Sequence, residues 1–269
     1  MKRLPPLIKW SGSKQSQAIF IASCAPNNFN TYYEPFLGGG AVVGILQPRK
    51  AVCSDINNPL IALWKLIKEK PGLVVKNYGE NWNELQKEGY KFFYKARDRF
   101  NHGESPHDLL FLSRTCVNGL IRYNQQGKFN NSLHYTRKGI HPDRFAKIAT
   151  DWNQRIKNCV FLTTDYRKAT KNARRDDFIY LDPPYFNTRG RYFGTINFEE
   201  FLNYLSGLND KGIKFALSYD GMRADKNYIV EIPKTLYKRH LLVPFGNSTF
   251  KKVQDRKVEK VYESLYLNF

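Results

Sequence analysis

The chain of 269 residues is 42% hydrophobic and 15% aromatic, enough for one large domain, or one domain carrying a substantial insert, around a real core. No apolar run reaches the roughly 18 residues of a membrane span, and MKRLPPLIKW at the N-terminus lacks the apolar stretch of a signal peptide. The formal net charge is +19, from 43 Lys and Arg against 24 Asp and Glu, and the excess is spread along the chain rather than held in a tail. That pattern argues for a charged face on a folded body and a phosphate-rich partner, nucleic acid ahead of an acidic membrane, since no amphipathic basic helix stands out.

In chain order, TYYEPFL (31–37) reads as a strand running into Gly38, Gly39 and Gly40, and AVVGIL after them as a helix. AVCSD (51–55) is a short strand ending in an acid, and NNPLIALWKLIKEK (57–70) a helix with Pro59 in its first turn. The texture then changes. Residues 71–150 are rich in Tyr, Phe, Asn, Lys and Arg, with a basic aromatic helix at KFFYKARDRF (91–100) and hairpin chemistry around Gln125–Gly127. Strand patterns return at CVFLTTD (159–165), DFIYLD (177–182), IKFALSYD (213–220), HLLVPF (240–245) and VYESLYLNF (261–269). The expected architecture is an α/β domain interrupted by a basic insert. Cys24, Cys53, Cys116 and Cys159 lie far apart and form no CxxC pair, so reduced, mostly buried thiols are expected, with no metal site and a cytoplasmic location.

Three glycines between a strand and a helix let a ligand approach the backbone and reach free N–H groups at the helix start. Asp55, at the end of the next strand, is placed to accept the hydroxyls of a ribose. A phosphate-binding loop would need a Lys after the glycines, and GGGAVVG is only loosely similar to a dinucleotide fingerprint. S-adenosylmethionine, with a ribose and a carboxylate but no phosphate, is the third ligand class, and a purely structural turn is a fourth reading.

YLDPPY (180–185) sharpens the choice. Two prolines fix successive φ angles and hold Asp182 and a main-chain carbonyl rigidly outward at the carboxyl edge of a sheet, where α/β folds bind ligands. Tyr185 adds a flat face. Two fixed acceptors beside a ring form a receptacle for a planar amine.

Together, KWSGSK (9–14), YYEPFLGGGAV (32–42), SDINNPL (54–60), FLTTDY (161–166) and LDPPY (181–185) resemble the Dam-type, or D12 class, DNA N6-adenine methyltransferases, in the α order of cofactor motifs, target recognition, then DPPY. The resemblance covers essentially the whole chain. It implies a Rossmann-like S-adenosylmethionine-dependent methyltransferase sheet formed by residues 1–62 and 151–269, with a helical and β-hairpin target-recognition domain inserted at 63–150. The implied reaction moves a methyl group from S-adenosyl-L-methionine to N6 of adenine in a short duplex DNA sequence, GATC or a related GAT-containing site, as part of a restriction-modification system with a companion endonuclease. N4-cytosine or RNA amino-methylation, and an inactive DNA-binding relative, are the competing readings.

Residue by residue, the resemblance carries over Trp10 and Lys14 from the N-terminal segment, where SGS departs from the family's commoner loop. It carries Glu34, Pro35, Phe36 and Gly38 as the cradle of the methionine portion, Asp55 as the ribose acid and Asp165 as the adenine-side acid, with Phe161 packed nearby. Asp182 and the Pro183 carbonyl would accept the two amine N–H bonds, with Pro184 stiffening the turn and Tyr185 stacking on the flipped base. SRTCVNGLIRYNQQGKFNN (113–131) resembles the recognition hairpin, with Arg122 as the base-reading arginine and Asn118 and Asn124 beside it. Lys9, Lys128, Arg137 and Lys138 are expected at phosphates. RGRYFG (190–195) is expected to be a mobile basic loop.

Overall fold

The computed structural model describes residues 3–136, 138–184, 196–223, 226–227, 231–247 and 260–269. The expected Tyr185, Arg137 and RGRYFG loop lie outside the described residues. Helix α1 (Ala18–Ser23) precedes β1 (Tyr32–Glu34), and the glycine turn leads into α2 (Ala41–Leu46) and β2 (Ala51–Asp55). Four helices follow: α3 (Asn58–Glu69), α4 (Pro71–Glu88), α5 (Tyr90–Gly103) and α6 (Pro106–Thr115). After an irregular hairpin come α7 (Pro142–Arg155), β3 (Cys159–Thr163), α8 (Tyr166–Ala169), β4 (Phe178–Leu181), α9 (Phe198–Asp210) and β5 (Lys214–Arg223). The short β6 (Lys226–Asn227), then β7 (Arg239–Asn247) and β8 (Lys260–Leu267), complete the chain.

The strands form a mixed sheet in the order β3-β2-β1-β4-β5-β8-β7, with β6 pairing with β5 off this path. The five from β3 to β5 are parallel, and β8 runs antiparallel between β5 and β7. This is the expected Rossmann-like arrangement. The chain leaves β1 toward β2 and β3, then returns to β4 on the other side of β1, so the strand order reverses between β1 and β4. Such a switch point opens a crevice at the carboxyl ends of the two strands. The glycine turn follows β1 and Asp182 follows β4, so the two motifs meet there.

Strand periodicity divides the core between the two sheet faces. Phe178 and Tyr180 of β4 join the larger hydrophobic cluster, with Tyr32, Trp64 and Trp152. Ile179 and Leu181 join the smaller one, with Tyr33, Phe201 and Phe215. Burial on both faces explains the near-continuous apolar strands of the sequence. Helix α3 begins as its residues dictate. The Asn57 side chain accepts the Leu60 N–H at 2.9 Å, Pro59 occupies the first turn, and Leu60, Ile61, Leu63, Trp64 and Ile67 form the buried stripe.

The expected insert boundary at residue 63 falls inside α3, which packs on β2 and β3. Phe93, Phe100 and Phe111 from the following helices share one cluster with Tyr32 and Phe178 of the sheet. The helical segment is therefore built onto the sheet's own core. The hairpin turns at Gly127, whose N–H donates to the Asn124 carbonyl at 2.9 Å, and its arms meet through two isolated bridges, Tyr123 with Phe129 and Cys116 with Leu133. Cys53, Cys116 and Cys159 are buried and Cys24 half-buried, all as free thiols. Among the described residues no helix is long and apolar enough to cross a membrane.

Gly44 in α2 shows how tightly helix and insert interlock. A Cβ there would sit 2.6 Å from Cη2 of Trp152, a ring itself packed edge-on against Trp64. Helix propensity favours Gly44→Ala by about 1 kcal/mol, but overpacking against a buried ring costs about 1–3 kcal/mol. The clash wins, and thermal melting of Gly44→Ala should show a lowered midpoint; an unchanged or raised one would contradict the packing.

Candidate functional site

The crevice at the switch point holds a cavity of about 260 Å³. Trp10, Lys14, Glu34, Pro35, Phe36, Gly38, Asp55, Asp165, Asp182, Pro183 and Pro184 all line it, so residues from five separate stretches of sequence share one wall system. Gly38 has φ +47, and a Cβ on it would lie 2.8 Å from Cδ1 of Trp10. The Trp64 indole N–H donates to the Gly38 carbonyl at 3.1 Å. No side chain larger than hydrogen fits between those two tryptophans at that backbone angle.

Each acid at the rim is held by backbone or side-chain donors. Asp55 accepts the Gly38 N–H at 3.1 Å through Oδ2 and the Asn57 N–H at 3.0 Å through Oδ1, tying the end of β2 to the glycine turn. Burial raises its carboxyl, and these amides pull it back. A carboxylate oxygen has room for more than one donor, so both remain able to receive hydroxyls. Asp165 caps α8, accepting the Arg167 and Lys168 N–H groups at 2.9 and 3.3 Å. Arg167 reaches Glu200 at 2.9 Å and Asp165 at 3.7 Å. Phe36 stacks on Tyr166 with centroids 5.4 Å apart. Glu34 lies deeper, accepting the Tyr32 hydroxyl at 2.8 Å and the Val43 N–H at 3.0 Å. Burial pushes its carboxyl up to about 8, against the pull of those two donors.

The strongest electrostatic feature is a buried cation shared by two acids. Lys14, only 3% exposed, places Nζ 2.8 Å from Asp182 Oδ1 and 3.5 Å from Glu263 Oε2, and donates to the Gly12 carbonyl at 3.1 Å. The Glu263 contact is an ion-pair distance without a hydrogen bond. Burial works against the Lys14 charge, but the two carboxylates more than offset it and hold the ammonium above the ordinary lysine range. Asp182 is pushed up to about 6 by burial, with Lys14 pulling it down and Glu263 pushing it up. The ion pair fixes one oxygen of Asp182 and leaves the carboxylate on a rigid proline turn.

The expected DNA-facing residues lie outside the cavity lining. Arg122 is exposed, its Nε donating to Asn130 Oδ1 at 2.9 Å. Asn118 is exposed at φ 57. Asn124 spends Oδ1 on the turn, accepting the Gln126 and Lys128 N–H groups at 3.0 and 2.9 Å, so its expected place among base contacts reduces to its NH₂. Lys9, Lys128 and Lys138 are exposed cations. Phe161 packs on Trp64, with centroids 6.1 Å apart, in the larger core cluster. Sequence reasoning missed Glu263, Ile121, Tyr123, Asn57 and Arg167. Glu263 had a signal: it is the lone acid in the apolar strand VYESLYLNF, and a buried carboxylate needs a partner.

A mostly parallel sheet carrying a glycine turn, a strand-end acid and a proline-locked carboxylate at its switch point has the architecture of a Rossmann-like methyltransferase. The family model described as D12 class N6 adenine-specific DNA methyltransferase matches residues 10–244, and the chain belongs to that family. Type II methyltransferase M1.LlaDCHI of Lactococcus lactis subsp. cremoris is 30% identical over 68% of this chain and 66% of its own length. Type II methyltransferase M.MjaIII of Methanocaldococcus jannaschii is 26% identical over 98% of this chain and 99% of its own. A DNA adenine methylase of Haemophilus influenzae is 29% identical over 67% of this chain and 63% of its own. The first and third alignments thus span about two thirds of those relatives. Among solved structures, the rRNA methyltransferase aviRa of Streptomyces viridochromogenes aligns over 94% of this chain and 83% of its own at TM-score 0.40 and 11% identity.

A carboxyl group accepts N–H bonds fully only when ionised, so a methyl transfer that uses Asp182 as an acceptor should fall as pH drops through about 6. Lys14→Met removes the pull that keeps Asp182 ionised, and its acid limb should move to higher pH. An acid limb at the same pH in both proteins would separate Lys14 from the chemistry.

Proposed function

We propose that the cavity at the β1–β4 switch point binds S-adenosyl-L-methionine and that Asp182 and the Pro183 carbonyl receive the N6 amino group of an adenine turned out of duplex DNA. The observation that carries this is the common cavity: the glycine turn, Asp55, Lys14 and the Asp182–Pro184 turn line one space at the carboxyl edge of the sheet. Its donors fit such a ligand. Asp55 faces where ribose hydroxyls belong, Trp10 and Phe36 offer apolar and aromatic surface, and a surplus of carboxylates over cations suits a positively charged sulfur. When bound, S-adenosylmethionine supplies a methyl carbon on a sulfonium.

The chain's own contribution is positioning and charge. The exocyclic amine of adenine is a poor nucleophile because its lone pair is delocalised into the ring. Two fixed acceptors that bond both N–H groups favour the pyramidal nitrogen of the transition state over the flat one of the ground state. Asp182 need not be a strong base. Lys14 occupies Oδ1 and so presents the remaining oxygen to the amine. Tyr185 is assigned to stacking on the extruded base, whose unstacking costs a few kcal/mol.

Residues 63–150 serve as the target-reading part, with Arg122 presenting its fork to guanine O6 and N7 and Lys9, Lys128, Arg137 and Lys138 at phosphates. GATC or a related GAT-containing site is the expected target. Two of the relatives carry the name type II methyltransferase, which supports pairing with a restriction endonuclease. A DNA substrate and the absence of a membrane-crossing helix among the described residues suit the expected cytoplasmic location. The comparisons do not favour N4-cytosine or RNA methylation, or an inactive relative.

Duplex DNA treated with the purified protein and S-adenosylmethionine, then digested to nucleosides, should yield N6-methyldeoxyadenosine; N4-methyldeoxycytidine alone, or no methylated base, would reject the reading. Asp182→Ala should lower turnover by at least ~10³-fold while changing cofactor affinity less than ~10-fold. Arg122→Ala should cost about 1–3 kcal/mol of discrimination at one base pair, read as competition between cognate and altered duplexes.

A further inference from the structure

The reading hairpin and the cavity are not separate parts of the molecule. Ile121 and Tyr123 line the cavity, whereas Arg122 between them is exposed to solvent. This is the period-two alternation of an extended segment: two side chains turned inward, the base-reading one turned outward. Ile121 is buried, and Tyr123 lies beside the Asn57 side chain, which caps α3 and lines the cavity two residues after Asp55. The facing arm is fixed in turn. Buried Phe129 bridges Tyr123, donates its N–H to Asn101 Oδ1 at 2.8 Å and accepts from Asn101 Nδ2 at 3.1 Å. At the hairpin's base, Gly119 lies so close to the N-terminal segment that a Cβ would be 2.8 Å from Lys9 Cβ. That segment continues into Trp10–Lys14, the opposite wall of the cavity. The hairpin therefore contributes two residues to the cavity wall and abuts the segment that leads into another part of it, and the Arg122 backbone is flanked on both sides by residues that face the cavity.

We infer that Ile121 and Tyr123 are cofactor-site residues supplied by the recognition hairpin, contacting the nucleoside end of the ligand beside Asp55, and that cofactor binding and DNA reading are thereby coupled. The inference rests on the reading of the cavity as the S-adenosylmethionine site. Coupling of this kind is reciprocal: if cofactor orders the hairpin for DNA, DNA tightens cofactor by the same factor.

The test titrates S-adenosylhomocysteine into the full chain by calorimetry, alone and with a duplex carrying the sequence the protein methylates. The wild type should bind at least ~5-fold more tightly with the duplex present, the lower end of common coupling. Tyr123→Ala and Ile121→Ala should each weaken binding without DNA by about tenfold and bring the DNA-dependent gain close to 1. Tyr123→Phe, which keeps the ring and loses only the hydroxyl, should fall between, and serves if the alanine variants lose their circular-dichroism melt. Wild-type affinity unchanged by the duplex, or Tyr123→Phe and Ile121→Ala indistinguishable from wild type, would overturn this inference while leaving the cavity assignment standing. No binding of S-adenosylhomocysteine by the wild type would overturn the cavity assignment and this inference with it.

Discussion

Tyr32 and Tyr33 of β1 pair with Phe178 and Ile179 of β4 through a short parallel ladder buried on both faces. That pairing sets the distance between two turns far apart in sequence, one bearing the glycines and one bearing Asp182. Everything at the site inherits its geometry from these few residues. A sheet whose strand order reverses there must part at its carboxyl end, and the chain fills the parting with side chains from both turns and from the N-terminal segment.

Within that crevice one buried ammonium organises the charge. Lys14 answers both Asp182 and Glu263, and neither carboxylate could be left there alone without a large desolvation cost. Glu263 arrives from β8, the last strand, which runs antiparallel between β5 and β7. The C-terminal strand thus completes an electrostatic unit begun near the N-terminus. The result is a carboxyl raised to about 6, with one oxygen committed to Lys14 and its backbone locked by proline.

The helical segment between β2 and β3 behaves as an outgrowth of the same core. Its aromatic residues join the cluster that backs β1 and β4, Trp152 abuts Gly44, and Arg114 donates to the Leu7 carbonyl at 2.9 Å, holding the segment that leads into Lys9–Lys14. The hairpin and the cavity consequently share a mechanical frame. The net charge of +19 suits a phosphate-rich partner.

Much of this was legible from residues alone because it depends on local chemistry. Gly38 and Gly40 demand positive φ, Asn57 and Pro59 announce the start of α3, two prolines stiffen the turn after β4, and short apolar runs mark the strands. Those signals located the sheet, the glycine turn and the proline turn at Asp182, and the motif set tied them to one family. The partners of Lys14, the inward turn of Ile121 and Tyr123, and the loss of Asn124's oxygen to its own turn were decided only in three dimensions. Each depends on which distant segment packs alongside, and ion pairing or burial across the fold leaves no spacing in the chain that could reveal it.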